Sequence, residues 1–434
     1  MRTSVQSREA RAPLLNGRSG TVGQWRIDGP TIAATIALIG LMAANVFGTF
    51  MAGLFLLGAG ALFALNPVAS GRNLLRFSLL MVLPLLALAS SFWSDSPERT
   101  VRAGLQIVAT MAAAIIICTT LPRDRLVTIL FVGMFAVALL ALPTIPGAAL
   151  NGQPLLGPFA SKNIMAYTAL TLFGLAFTIL VDGKRSAKLR LIGLAAFIYA
   201  LVVVGLAQSA GAYALLAMTA IIFPLFLIFS RFNFAMRVAL VILAVVIMGA
   251  AASFLPEIEA AGGALREGVL NKDATLTGRT YLWDFAFRMS AERPWLGHGY
   301  YAFWRIGNID AEGLWRYAGI RSRTGFNFHN SFVEMLVDMG RIGVAVLVLT
   351  CAGIVGSAFL RQVREPTVAM TFLLSMTVVQ LVRSYAETTL FGPFSLETLL
   401  LIATAVYAFP RHPAKDAATR PTRGFRNVTP RAVR

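Results

Sequence analysis

The stretch VALVILAVVIMGAAASFL, residues 238–255, runs eighteen positions without a charge, whereas the 75 residues after it, 256–330, hold seventeen. An α-helix needs about 20 predominantly apolar residues to cross the hydrocarbon of a bilayer. The first half of this contrast therefore reads as a membrane span, and the second half cannot be one. Uncharged apolar blocks recur upstream at Leu126–Pro143 and Leu191–Ala207. Composition agrees: the 434 residues are 57% hydrophobic and 13% charged, with mean hydropathy +0.71, where a soluble domain carries about 25% charged residues. No soluble fold could cover that much apolar surface.

Extending the reading in both directions predicts an all-α polytopic membrane protein with about twelve transmembrane helices. They lie at roughly 31–48, 50–66, 74–93, 103–121, 126–143, 163–181, 191–207, 212–229, 238–255, 332–360, 366–385 and 390–409. The second and tenth are the least regular. Gly340 and Gly343 interrupt the tenth, which fits a short interfacial helix followed by the true span. The implied organisation is a polar cytoplasmic N-tail (1–30), helices one to nine (31–255), a periplasmic loop or lid (256–330), helices ten to twelve (331–409) and a basic cytoplasmic C-tail (410–434). The polar N-tail shows no cleaved signal peptide.

The net charge is +18, and its distribution excludes nucleic acid as a partner, because no soluble domain presents a basic face. With both termini in the cytoplasm, 24 of the 38 Lys and Arg residues fall on that side, in tails and short loops. The inverted orientation would export the richest clusters, against the positive-inside rule. Residues 256–330 then face the periplasm of a bacterial inner membrane. Connections this long are usually functional or disordered. Four of the six tryptophans (Trp283, Trp295, Trp304, Trp315) lie here, which argues for a folded lid. Cys118 and Cys351 sit in apolar spans and read as small buried hydrophobes. Three histidines in all (His298, His329, His412) make a metal site an unsuitable expectation.

The chemistry-bearing residues cluster around that loop. His329 stands where the loop enters a helix, and imidazole is the side chain best suited to move a proton near neutral pH. An interfacial histidine that only hydrogen-bonds to headgroups would look the same. Glu334 and Asp338 follow it and would be placed to orient the ring. Arg279, in Thr277-Gly278-Arg279, has the fork to grip a phosphate; a surface ion pair is the plainer reading. His298, in Pro294-Trp295-Leu296-Gly297-His298-Gly299, reads as a turn residue. Lys162-Asn163 opens the sixth span, and Arg383 and Glu387 lie four apart, spaced to pair on one helix face. Charges at such depth mark sites or pathways by default, and a structural ion pair is the alternative.

The order His329-Asn330, nine residues, then Gly340-x-x-Gly343-Val344 resembles the signature of the O-antigen ligase family, which also holds O-antigen and exopolysaccharide polymerases. Thr277-Gly278-Arg279, Leu282-Trp283, Pro294-x-Leu296-Gly297-His298-Gly299-Tyr300 and Gly157-Pro158-Phe159-x-x-Lys162-Asn163 extend the likeness. The resemblance implies metal-independent glycosyl transfer without a cofactor, from a glycan carried on undecaprenyl diphosphate. It makes His329 the general base and gives Arg279 the developing charge of the diphosphate. Lys162, Asn163, Arg323, Asn330, Arg383 and Glu387 are the expected substrate and diphosphate contacts, and tryptophans would stack on sugar rings. Partners would be the lipid-linked oligosaccharide, membrane lipids, and a chain-length regulator or flippase.

One departure stands out. Where many members carry Ser-Arg-Gly after the seventh span, this chain has Gln208-Ser209-Ala210-Gly211. Either Lys162, Arg323 or Arg383 supplies the missing cation, or the chain is a divergent or inactive member. The Phe-x-x-Lys-Asn element, Trp304 and Arg383-x-x-x-Glu387 lean toward an exopolysaccharide polymerase over a ligase acting on lipid A core. A flippase or transporter would show related halves, and no internal repeat is found; a membrane scaffold is the remaining alternative.

Overall fold

The computed structural model describes residues 28–252 and 279–409, and among these every regular element is helical. The first nine predicted spans fall on α1 (Gly29–Phe47), α2 (Thr49–Leu65), α3 (Pro67–Arg76), α4 (Val82–Ala89), α5 (Pro97–Thr120), α6 (Arg123–Leu139), α7 (Ile145–Asn151), α8 (Lys162–Val181), α9 (Ala187–Ala207), α10 (Ala210–Arg231) and α11 (Phe234–Ala252). After the long loop come α12 (Arg279–Glu292), α13 (Ile309–Tyr317), α14 (Ser331–Arg364), α15 (Val368–Arg383) and α16 (Leu396–Ala408).

Each of the twelve predicted spans coincides with helix, but the number of crossings is not established as twelve. Among the described residues, seven helical stretches are long and apolar enough to cross a membrane. An eighth would be the pair α2 and α3, bent by 105° at Asn66. Four apolar helices, at 78–92, 234–247, 368–383 and 396–408, are shorter than a hydrocarbon core requires. Hydropathy reports an apolar run whether or not its helix is continuous, which is why twelve segments looked equivalent in sequence.

Starts and close contacts follow local chemistry. Asp28, Ser161, Ser186, Ser209, Asn330, Thr367 and Ser395 cap their helices by accepting a backbone N–H in the first turn. Between α1 and α2, a Cβ at Gly40 would strike the backbone of Phe55, and one at Gly58 the backbone of Ala37. Small residues here let two helices approach closely, as packing within lipid favours. Cys118 and Cys351 are buried and unbridged, as their apolar context suggested.

The break predicted in the tenth span is real. Gly340 has φ +62° inside α14, so the helix changes course there. A break strands backbone groups that a helix would otherwise satisfy. The turn 294–299 supplies the partners: the N–H groups of His298 and Gly299 donate to the carbonyls of Val337 (2.9 Å) and Asp338 (2.8 Å). In return the N–H groups of Arg341 and Ile342 donate to the carbonyls of Pro294 (2.9 Å) and Trp295 (3.2 Å). Any Cβ at Gly340 would collide with the Trp295–Leu296 peptide. Two motifs some 40 residues apart are thus the two sides of one joint.

Residues 279–330 form a cap over one end of the bundle. Its small core contains Leu282, Ala286, Phe303, Leu314, Trp315 and Phe328 against Val333 and Val337 of α14. Each buried side chain of this size contributes roughly 1.5–3 kcal/mol. The cap is also tied to the connection before α5. Trp93 Nε1 donates to the Leu296 carbonyl (2.8 Å), Arg99 to the Trp304 carbonyl (3.0 Å), and Asp95 bonds both Arg293 (2.8 Å) and His298 (2.8 Å). His298 is therefore a structural residue, in keeping with its turn-like sequence. The expected sugar-stacking role of the tryptophans does not hold for Trp315, which is buried; Trp283 is half-buried and its Nε1 donates to the Phe328 carbonyl (2.8 Å). Trp304 Nε1 likewise donates to Glu334 (3.0 Å), while Trp295 is exposed.

Candidate active site

Three segments distant in sequence meet at the edge of the cap. Arg279 begins α12, His329 lies in the turn before α14, and Glu387 lies in the connection 384–395 between α15 and α16. Arg279 Nη2 is 3.2 Å from Glu387 Oε1, and His329 Nδ1 is 3.2 Å from Glu387 Oε2. One carboxylate thereby holds both an imidazole and a guanidinium. Thr277 and Gly278 of the same motif lie outside the described residues.

The turn that presents His329 is built for the purpose. His329 has φ +51°, a conformation few side chains adopt. Its N–H donates to Asn327 Oδ1 (2.8 Å), and the edge of Phe326 stands 5.5 Å from the ring. Phe328 N–H donates to Glu334 Oε2 (2.8 Å), which fixes the residue beside it. On the other flank Ser331 N–H donates to the Ser384 carbonyl (2.8 Å). Ser331 Oγ accepts from the N–H of Thr389 (2.9 Å) and donates to the Glu387 carbonyl (3.1 Å). The Glu387 loop and the His329 turn are thus stitched together by the N–H and the hydroxyl of Ser331.

Burial alone would raise the pKa of Glu387. The hydrogen bond and charge of His329, with the charges of Arg279 and Arg383, outweigh burial and hold the carboxyl below its ordinary 4.5. An ionised carboxylate only accepts, so Nδ1 of His329 carries the proton and donates it to Glu387. Nδ1 carries that proton in the charged and the neutral ring alike, and in the neutral ring the lone pair is on Nε2, which has no hydrogen-bond partner among the described residues. That is the tautomer a general base needs.

Two sequence expectations are corrected here. Arg383 and Glu387 do not pair, because α15 ends at Arg383 and the four-residue spacing loses its helical geometry. Arg383 instead binds Glu397 (3.1 Å) and lies with its Cζ 3.4 Å from the ring centre of Tyr167, a cation–π contact. Neither Glu334 nor Asp338 orients His329. Glu334 serves Trp304 and Phe328, and Asp338 accepts from the N–H of Tyr301 (3.0 Å).

The remaining expected contacts divide. Asn330 is buried and caps α14, accepting from Phe332 and Val333, so its side chain is committed to the fold. Arg323 is part of the cap, 3.3 Å from Glu312, and is not brought to the His329 cluster. Lys162 Nζ donates to the Gln208 carbonyl (3.1 Å), and Asn163 Oδ1 accepts from Ser209 (3.1 Å). They join the start of α8 to the very stretch that departs from the family pattern. One turn along α8 is Tyr167, under Arg383.

Arg383 and Tyr167 also border a polar cavity of about 210 Å³, with Asn45, Thr168, Thr388, Thr389 and Glu397. The hydroxyls of Thr388 and Thr389 and Nε of Arg383 are buried with no partner among the described residues. Orphaned groups of this kind are costly, and three on one cavity mark a place for a polar occupant. Tyr167 and Glu397 were missed in the sequence. Glu397 carried a usable signal, a charge inside an apolar span; Tyr167 carried none.

A membrane-embedded helical bundle, capped by a folded segment that delivers an arginine and a histidine to the helix ends, defines the class of this protein. The chain belongs to the O-antigen ligase family. The sequence profile of that family, described as O-Antigen ligase, matches residues 195–348, which include Arg279 and His329. The chain is also 31% identical over 335 residues to "Exopolysaccharide production protein ExoQ" of Rhizobium meliloti (strain 1021), covering 74% of each. Glu387 and Arg383 fall beyond the profile match.

Proposed function

We propose that this protein polymerises lipid-linked oligosaccharide repeat units in exopolysaccharide assembly, by glycosyl transfer from an undecaprenyl-diphosphate donor. The observation that carries the reading is His329 fixed through Nδ1 on an ionised Glu387, with Nε2 unpartnered among the described residues, beside Arg279. Nε2 takes the proton of an acceptor hydroxyl as its oxygen bonds to the anomeric carbon of the donor. The bond from that carbon to the diphosphate oxygen breaks, and the electron pair leaves with the lipid diphosphate. Arg279 spends one Nη2 hydrogen bond on Glu387, and its other N–H groups suit the leaving group's charge. Arg383 and Lys162 are the further cations for the diphosphate, and Asn163 positions Lys162's helix start. Glu387, being acidic, is a positioning residue and not a diphosphate ligand.

Polymerase is preferred to ligase because the relative matched along most of the chain is named for exopolysaccharide production. The reaction is placed on the periplasmic face of the inner membrane, with both termini cytoplasmic. Arg123, Arg125, Arg185 and Arg361 lie at helix ends away from the cap, and the positive-inside rule favours keeping such clusters in the cytoplasm.

The test compares surface glycans and lipid-linked intermediates from a strain lacking the gene. Single repeat units left on the carrier, with long polymer lost, are expected. Finished polymer stranded on undecaprenyl diphosphate would mean a ligase. For the face, Ser322→Cys should react with an impermeant thiol reagent in intact cells; labelling only after lysis would reverse the orientation.

A further inference from the structure

The cap carries a second cleft, away from the His329 cluster, of about 380 Å³. It is lined by Glu312, Trp315, Arg316, Gly319, Ile320, Arg321 and Arg323. Three guanidiniums face one carboxylate, so the cleft is cationic. Arg323 is held by Glu312 at 3.3 Å, whereas Arg316 and Arg321 pair with no carboxylate among the described residues. Trp315 beneath them is 2% exposed and belongs to the core of the cap. Cations with so little opposing charge ask for an anion.

The cleft's only apolar side chains are Ile320 and the Trp315 ring, too little for an acyl chain. Beside it, Tyr317 follows Arg316 at the end of α13, and its exposed ring lies 4.3 Å from that of Tyr281, also exposed. Paired exposed aromatic faces next to hydrogen-bonding groups suit the C–H faces of a sugar ring. We infer that this cleft binds a carboxylate-bearing saccharide, of uronate type, in the glycan that the enzyme handles. The carboxylate is taken in bidentate fashion by Arg316 and Arg321, and the sugar ring lies toward Tyr317 and Tyr281. Occupation holds the growing chain on the cap while the reacting end lies at His329. The saccharide identity rests on the glycan-polymerising reading above; the anion site does not.

The full-length protein in nanodiscs of zwitterionic lipid tests this by equilibrium binding of oligogalacturonate, with an uncharged galactan of equal length as control. Oligogalacturonate is expected to bind and galactan to bind at least tenfold more weakly. Arg316→Ala/Arg321→Ala should weaken oligogalacturonate binding at least tenfold, and Tyr317→Ala, which removes an exposed aromatic face, about threefold. The same variants should leave a neutral lipid-linked donor turning over at the wild-type rate, so failure here is separable from failure at His329. Equal binding of both saccharides, or unchanged binding in the arginine double variant, overturns the proposal. Loss of oligogalacturonate binding when anionic phospholipid is added to the disc would reassign the cleft to lipid headgroups.

Discussion

The protein holds the same trio twice, an arginine and a histidine on one carboxylate, and uses the copies differently. In the first, Asp95 bonds Arg293 and His298; in the second, Glu387 bonds Arg279 and His329. The side chain of His298 is 6% exposed, and its Nε2 is occupied by the Met289 carbonyl at 3.3 Å. That of His329 is 29% exposed, and its Nε2 has no partner among the described residues. Composition is equal and accessibility is not. The first trio clamps the cap to the bundle, and the second leaves a ring nitrogen with no partner among the described residues. A histidine–carboxylate pair thus means little until the partner of the other ring nitrogen is known.

The largest expected effect separates the two histidines. His329→Ala should reduce polymerisation of a lipid-linked donor in proteoliposomes by about 10²–10⁴-fold, the usual weight of a general base, with an unchanged melting temperature. His298→Ala should do the reverse, costing about 1–3 kcal/mol of stability through its stranded partners and far less turnover. Equal losses of turnover with equal melting temperatures would erase the distinction.

The arginines come next. Arg279→Lys should cost on the order of 10² in turnover, since an ammonium cannot reproduce the planar guanidinium fork that reaches both Glu387 and a diphosphate. Arg293→Lys, at a half-exposed pair, should alter stability by less than about 1 kcal/mol. Near-normal turnover of the Arg279 variant would reduce that residue to a point charge.

Gly340→Ala sharpens the structural side. The positive φ alone costs about 1–2 kcal/mol, and the clash with the Trp295–Leu296 peptide adds to it, so the cap should loosen. Faster limited proteolysis within residues 294–330 is the expected sign, and wild-type resistance would show that the joint is not held there.

The smallest effect is the acid response of the second trio. Glu387 titrates below 4.5 in the folded protein, so its contribution is fully present above that pH. It fades only as pH falls through the lowered value. The protection factors of amides at the start of α12, corrected for the intrinsic pH dependence of exchange, should therefore stay constant from pH 8 to pH 5 and fall in more acidic solution. Release between pH 5 and pH 6 would mean the carboxylate is not held as described.

Much of this was legible in the residues. Uncharged runs gave the all-α membrane class because hydropathy is a local property, and charge placement gave an orientation to test. Gly340 announced the break in α14, and His329 and Arg279 were picked out by what their side chains can do. Glu387 was noticed for its charge but paired with the wrong arginine. Periodicity assumes an unbroken helix, and α15 stops at Arg383.

What only the tertiary structure decided is who meets whom. Residues 279, 329 and 387 converge through three separate connections, and nothing in local spacing encodes that distance. The fate of each polar group was likewise a matter of packing: Asn330 spent on a helix cap, Asp95 on a clamp, Tyr167 under a guanidinium. Sequence determines which groups are available, because chemistry travels with the residue. Reactivity depends on which of their atoms remain unpaired, and that is settled only when distant segments have packed.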